Sequence, residues 1–160
     1  VRKTYKAFVI GEGIPIIATC RGNAVNNVLF GGKLLYHPEL KVERPRSVDH
    51  EVYLVEEDRT IWVNNFHKDV FDRWAASCFK PLAIDRENQT IEAFGSDEMK
   101  VLALQWHPKE KFETANALEE TRKLVVNFIQ KHIKIVFYSD YILIFLKLHL
   151  KKWGFCNIFT

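Results

Sequence analysis

The residues best equipped for chemistry are a cysteine and a histidine far apart in the chain, Cys20 and His107. Cys20 follows an almost wholly apolar, largely β-branched run (residues 14–19) and precedes a segment with Val25, Val28 and Leu29 at helical spacing (residues 23–30). That order predicts a strand buried on both faces, then a helix, with the thiol on the sharp turn between them. A nucleophile elbow has this arrangement. The dipole and first-turn amides of the helix would lower the pKa of a thiol held there. The amide of Arg21 would face an oxyanion formed on a carbonyl attacked by Cys20. Gly22 would let substrate approach without a Cβ in the way. The alternative is a small apolar residue ending a core strand, since free cysteine is often buried and inert.

A cysteine nucleophile needs a base, and the base needs an orienting group. His107 ends the apolar strand expected over residues 100–106, and Pro108 stiffens the turn that aims it. A carboxylate shortly after it would be the orienting group. His50 and His67 each open or close a strand in a polar turn and read as structural histidines.

The elements around these groups follow from periodicity. Residues 1–10 place Tyr5, Phe8 and Val9 on one helical face, with Gly11 as a stop. A helix then feeds the elbow strand with no strand before it. A parallel strand needs a strand partner, so the chain is expected to start in the middle of an α/β domain. Residues 33–46 carry Pro38 and Pro45 in a polar run and predict a loop. Alternation predicts two hairpins, one pairing residues 50–55 with 60–63 and one pairing 79–84 with 90–94. A short helix is expected over 70–76. A longer one over 113–132 would bury Leu118, Leu124, Val125, Phe128 and Ile129.

A chain of 160 residues can form one domain with a real core. Its net charge of +3 is too weak to argue for nucleic acid, and no basic run interleaves with aromatics. Three cysteines without C-x-x-C spacing suggest reduced thiols in a cytoplasmic setting, not a disulfide framework or a zinc site. Cys78 and Cys156 read as bystanders. No signal peptide is visible. Residues 133–160 are apolar but interrupted by Lys134, Asp140, Lys147 and His149. A spanning helix is disfavoured because Asp140 falls inside the only candidate, leaving an extension of unknown role.

Four blocks carry a resemblance: Gly13-Ile14-Pro15-Ile16 with Cys20-Arg21-Gly22 and residues 27–32; Val63-Asn64-Asn65-Phe66-His67; Ile91-Glu92-Ala93; and Gln105-Trp106-His107-Pro108. In order and spacing they resemble class I glutamine amidotransferase-like proteins, and within them the γ-glutamyl-γ-aminobutyrate hydrolase branch. The last three blocks are similar to that branch's V-N-S-F-H, I-E-A and Q-W-H-P-E. The likeness covers residues 1 to about 130. It implies an α/β, flavodoxin-like sheet with helices on both faces and its first strands missing. The partial domain would be residues 1–132, followed by the extension 133–160.

The resemblance also implies a Cys-His-Glu hydrolase. Cys20 would attack the δ-carbonyl of a small γ-glutamyl amide, His107 would act as base and then acid, and Glu110 would stand in for the family's glutamate. Arg21, Gly22, Asn65, Phe66 and His67 would lie on the substrate and oxyanion side. No metal, cofactor or nucleic acid is implied. The chain departs from the pattern where Lys109 occupies the glutamate position, Ala18 replaces the elbow glycine, and Ala24 replaces a substrate-holding glutamine. The glycine-rich loop with the second oxyanion amide lies in the missing strands. Two other functions therefore stand beside the hydrolase: an inactive or truncated relative serving as a binding module, and a glutaminase unit supplying ammonia to a synthetase partner.

Overall fold

Alternating strands joined by tight polar turns give most of the described chain the form of one sheet. The computed structural model describes residues 13–35, 47–67, 70–71, 77–108, 110 and 115–132. The elements are β1 (Ile16–Thr19), α1 (Arg21–Leu29), β2 (Leu34–Leu35), β3 (His50–Leu54), β4 (Arg59–Val63), β5 (Val70–Phe71), β6 (Lys80–Asp85), β7 (Thr90–Ser96), β8 (Val101–Leu104) and α2 (Ala115–His132). Six strands run in the order β1-β8-β7-β6-β3-β4, while β5 pairs with both β7 and β2. β1 and β8 are parallel, with Thr19 opposite Leu104. The other described pairings are antiparallel.

Turn chemistry sets the hairpins. Between β6 and β7 the Asp85 carboxylate accepts the amides of Glu87 (2.9 Å) and Asn88 (3.3 Å), an Asx-type closure. Asp58 and Lys100 adopt positive φ (49° and 53°) in the β3–β4 and β7–β8 connections. Every residue of β8 is buried, as suits a central strand covered on both sides.

Alternation along β8 divides the core into two layers. Leu102 and Leu104 join Val52, Val63 and Trp106 beneath Val125 and Ile129 of α2. Val101 and Ala103 join Ala18, Phe79 and Phe94, with Ala24 and Phe30 from the α1 side packed against them. The two helices thus cover opposite faces of the sheet, as the α/β expectation requires.

Three expectations need correcting. The stripe of Val25 and Val28 does not face the core: these side chains are 47% and 44% exposed, and Asn23, Asn26 and Asn27 are the buried residues of α1. Specific acceptors override hydrophobic spacing here. The side-chain amides of Asn23, Asn26 and Asn27 donate to the Gln105 side chain, the Gly22 carbonyl and the Lys33 carbonyl. The elbow strand is only half-buried, with Ala18 alone fully covered and Ile14 46% exposed. Residues 70–71, expected to be helical, form β5 through pairing with Ile91, Leu34 and Leu35, a tertiary effect that local pattern cannot show. The helix expected over 1–10 and the extension 133–160, with Cys156, lie outside the described residues, as do 72–76. Among the described residues no helix is long and apolar enough to cross a membrane.

Candidate active site

Cys20 stands between β1 and α1 with φ 48° and ψ −109°, the N-cap position of the helix. These angles are near those of the first central residue of a type II′ turn, a place dominated by glycine. A non-glycine residue is held there only where its surroundings over-determine it. The sheet supplies one anchor, because the Cys20 amide donates to the Leu104 carbonyl at 2.8 Å. The helix supplies the other, because the Cys20 carbonyl accepts from the Ala24 amide at 3.1 Å. Pulled by both, the residue turns its side chain out of the strand direction. Cys20 is half-buried and the thiol does not cap the helix. A core residue closing a strand would be covered, so the geometry favours the elbow over the inert alternative.

Arg21 opens α1 and is exposed, while Gly22 lies against Ala18. A Cβ added at Gly22 would meet the Ala18 methyl at 3.6 Å, ordinary contact, so alanine in place of the elbow glycine is accommodated. The amides of a helix's first turn lack intrahelical acceptors, which leaves those of Arg21 and Gly22 directed at the space beyond the turn.

The parallel pairing of β1 with β8 brings His107 to the same sheet edge as Cys20. β8 ends at Leu104, whose carbonyl holds Cys20, and His107 lies three residues further on. The segment that carries His107 is fixed by a residue to which the sequence reading gave no role of its own. Asn64, 1% exposed, accepts the His107 amide at 2.9 Å and donates to the His107 carbonyl at 2.8 Å. A side-chain amide thereby stands in for a neighbouring strand and clamps the main chain of the histidine. Phe66 sets its ring edge-on to the imidazole, centroids 5.8 Å apart. Asn65 is buried and its carbonyl accepts the Ser47 amide at 2.6 Å, which pins the loop between these contacts.

Glu110 is exposed, and its amide closes a turn by donating to the His107 carbonyl at 3.2 Å. Lys109 lies outside the described residues. His67 meets β7. Its Nε2 lies 3.4 Å from the Glu92 carboxylate, and Nε2 of His50 lies 3.8 Å from the same oxygen. Gln105 ties the two regions together: its amide donates to the Glu92 carbonyl at 2.7 Å, and its side chain accepts from Asn23 at 3.1 Å.

Sequence reading proposed Cys20 and His107 as the reacting pair and, although it quoted Asn64, Glu92 and Gln105 within the family-like blocks, gave those three no role. A signal existed in each case, namely a polar residue inside or directly closing an apolar run. Such a residue must find a partner when buried.

A model of the family described as Peptidase C26 matches residues 4–109. The glutamine amidotransferase-like protein YvdE of Lactococcus lactis is 30% identical over 116 residues, covering 62% of this chain and 48% of YvdE. Protein NtpR of Enterococcus hirae is 28% identical over 133 residues, covering 68% of this chain and 54% of NtpR. The chain thus spans about half the length of the curated relatives it matches. Among solved structures, a GMP synthase protein from Thermoplasma acidophilum superposes with a TM-score of 0.61 at 19% identity, covering 81% of this chain and 63% of that one. A glutamine amidotransferase from Thermotoga maritima gives 0.52 at 14% identity, with coverages of 96% and 64%. These structural likenesses establish the mixed α/β fold.

Proposed function

The chain belongs to the Peptidase C26 family, and we propose that it serves a cysteine-type amide hydrolase whose substrate is a small γ-glutamyl amide. The observation that carries this reading is the backbone of Cys20, held at φ 48° on the strand-to-helix turn and bonded to the strand that delivers His107. In the reaction the Cys20 sulfur attacks the δ-carbonyl while His107 takes the thiol proton. The oxyanion is received by the first-turn amides of α1, that of Arg21 foremost. His107 then protonates the departing amine, leaving a γ-glutamyl thioester. Water, deprotonated by the same imidazole, attacks the thioester and frees glutamate and the thiol.

Asn64 fixes the His107 main chain and Phe66 stands at right angles to its ring, while the carboxylate that accepts the ring N–H in the family pattern would have to be Glu110 here. Cys20, His107 and, more weakly, Glu110 are the proposed catalytic groups, and Asn65 shapes the substrate-side loop. The exposure of Glu110 favours one further reading, a relative that binds γ-glutamyl compounds without turning them over. A glutaminase unit working with a synthetase partner uses the same site.

Incubation with a γ-glutamyl anilide and, separately, with a glutamine-like electrophile tests the proposal. Release of the aniline, together with one label on Cys20, supports the hydrolase. Labelling of Cys20 at the rate of Cys78, with no turnover, refutes it. Glutamine turnover that appears only with an added synthetase assigns the glutaminase role.

A further inference from the structure

We propose that His50, His67 and Glu92 form a binding site for one divalent transition-metal ion of zinc type. Three separate parts of the fold supply them: His50 is the first residue of β3, Glu92 lies in β7, and His67 lies in the loop after β4. All three side chains are almost completely covered, at 6%, 2% and 7% exposure for His50, Glu92 and His67. One ligand atom from each lies within 4.8 Å of the others. The two imidazole rings stand 6.2 Å apart at 60° to one another, so their edges converge on the carboxylate without stacking.

The distances are those of a loose ion pair and leave room for a bridging metal ion. A charge-assisted imidazole–carboxylate hydrogen bond settles at about 2.8 Å. The two contacts to the same Glu92 oxygen are 3.4 Å and 3.8 Å, both too long for that. A tetrahedral zinc ion with bonds of about 2.1 Å spaces its ligand atoms by about 3.4 Å. His67 and Glu92 already have that separation, His50 stands 3.8 Å from the same oxygen, and with all three ligand atoms within 4.8 Å of one another the two imidazoles would close by at most about 1.4 Å on an ion. Two imidazoles and one carboxylate form the donor set of borderline metals, which suits zinc and excludes a preference for calcium or magnesium. Three protein ligands leave a fourth position for water.

Such an ion would brace the His107 side of the molecule. His67 follows Asn64, the clamp on His107, by three residues. The Glu92 main chain holds Gln105, two residues before the same histidine. The ion takes no part in the proposed hydrolysis, so its site does not depend on that activity.

The test is titration of the whole chain, stripped with chelator, with zinc and with cobalt(II). We expect one equivalent bound and visible cobalt d–d bands without a thiolate charge-transfer band. At a hundredfold excess over Kd the melting temperature should rise by roughly 5–10 °C. Glu92→Gln and His67→Asn should each weaken binding at least tenfold, with Cys20→Ser unchanged. Circular dichroism of each variant checks that it folds, and His67→Asn, on a loop, is the gentler substitution. Absence of binding to the wild-type chain overturns the proposal. A thiolate band lost in Cys20→Ser also overturns it, by moving the ion to Cys20 and His107, as does wild-type affinity in a folded Glu92→Gln or His67→Asn.

Discussion

Removal of the Asn64 clamp should loosen His107 without touching either proposed reacting group. Asn64→Ala deletes two hydrogen bonds, at 2.9 Å and 2.8 Å, to the main chain of the histidine. Each such bond contributes about 1 kcal/mol net, and a stranded, covered amide costs more. Because the pair is only part-covered, a total of about 2–3 kcal/mol is expected. With a urea dependence of about 2 kcal/mol per molar, the unfolding midpoint should fall by about 1 M or slightly more. The kinetic effect should be larger than the stability loss suggests. An imidazole displaced by about 1 Å loses roughly a hundredfold in rate, and the loss should fall on kcat with KM little changed.

Asn64→Leu separates bonding from volume, since it fills nearly the same space and makes neither bond. Urea titration followed by tryptophan fluorescence reads the first effect, and γ-glutamyl anilide hydrolysis the second. If Asn64→Leu keeps both the wild-type midpoint and wild-type turnover, the clamp argument fails. If the midpoint falls while kcat holds, Asn64 is structural and the positioning of His107 arises elsewhere.

The remaining predictions concern the elbow, the orienting group and acid stability. Cys20→Gly should abolish turnover yet raise stability by about 0.5–1 kcal/mol, because relief of about 1–3 kcal/mol of backbone strain exceeds glycine's entropic cost. Cys20→Ala, which keeps the strain at φ 48°, should show no such gain on urea unfolding. Lys109→Glu should raise kcat by more than Glu110→Ala lowers it, and equally large losses on Glu110→Ala would show that Glu110 is the orienter. Glu120 joins α2 to β4 through Arg59 at 2.7 Å and bonds Lys123 at 3.0 Å. The hydrogen bond from Lys123, and then that from Arg59, hold its carboxyl below the usual 4.5. A depressed carboxylate stabilises the fold above its unfolded value and loses that contribution as pH falls through the folded one. Glu120→Gln should therefore be less stable than wild type at pH 6, by at most about 1 kcal/mol, and equal to it near pH 2 by urea titration.

Which features were legible in the sequence depends on whether their causes are local. The Cys20 turn was legible because a β-branched run, a small residue and a helix-forming segment follow one another directly. Both hairpins were legible because alternation and turn residues such as Asp85 act over a few positions. The parallel pairing of β1 with β8 was not, since it joins residues more than eighty apart and leaves no periodic mark. The buried face of α1 was misjudged for the same reason. Spacing reports where apolar side chains fall, whereas Asn23 is drawn inward by Gln105, an acceptor 82 residues away.

That failure has a mechanistic consequence. A helix packed through leucines could rotate by several degrees at little cost, because dispersion contacts are short-ranged but not directional. A helix tied by Asn23 to Gln105 and by Asn27 to the Lys33 carbonyl cannot, because each of these amides has an acceptor outside the helix and loses its bond on rotation. Since Cys20 is the N-cap of that helix, the orientation of α1 sets the direction of the thiol. The polar underside of α1 and the Asn64 clamp thus perform the same service at the two halves of the site. One fixes the turn that carries the sulfur and the other the strand end that carries the imidazole, each through side-chain amides that bind main chain or one another.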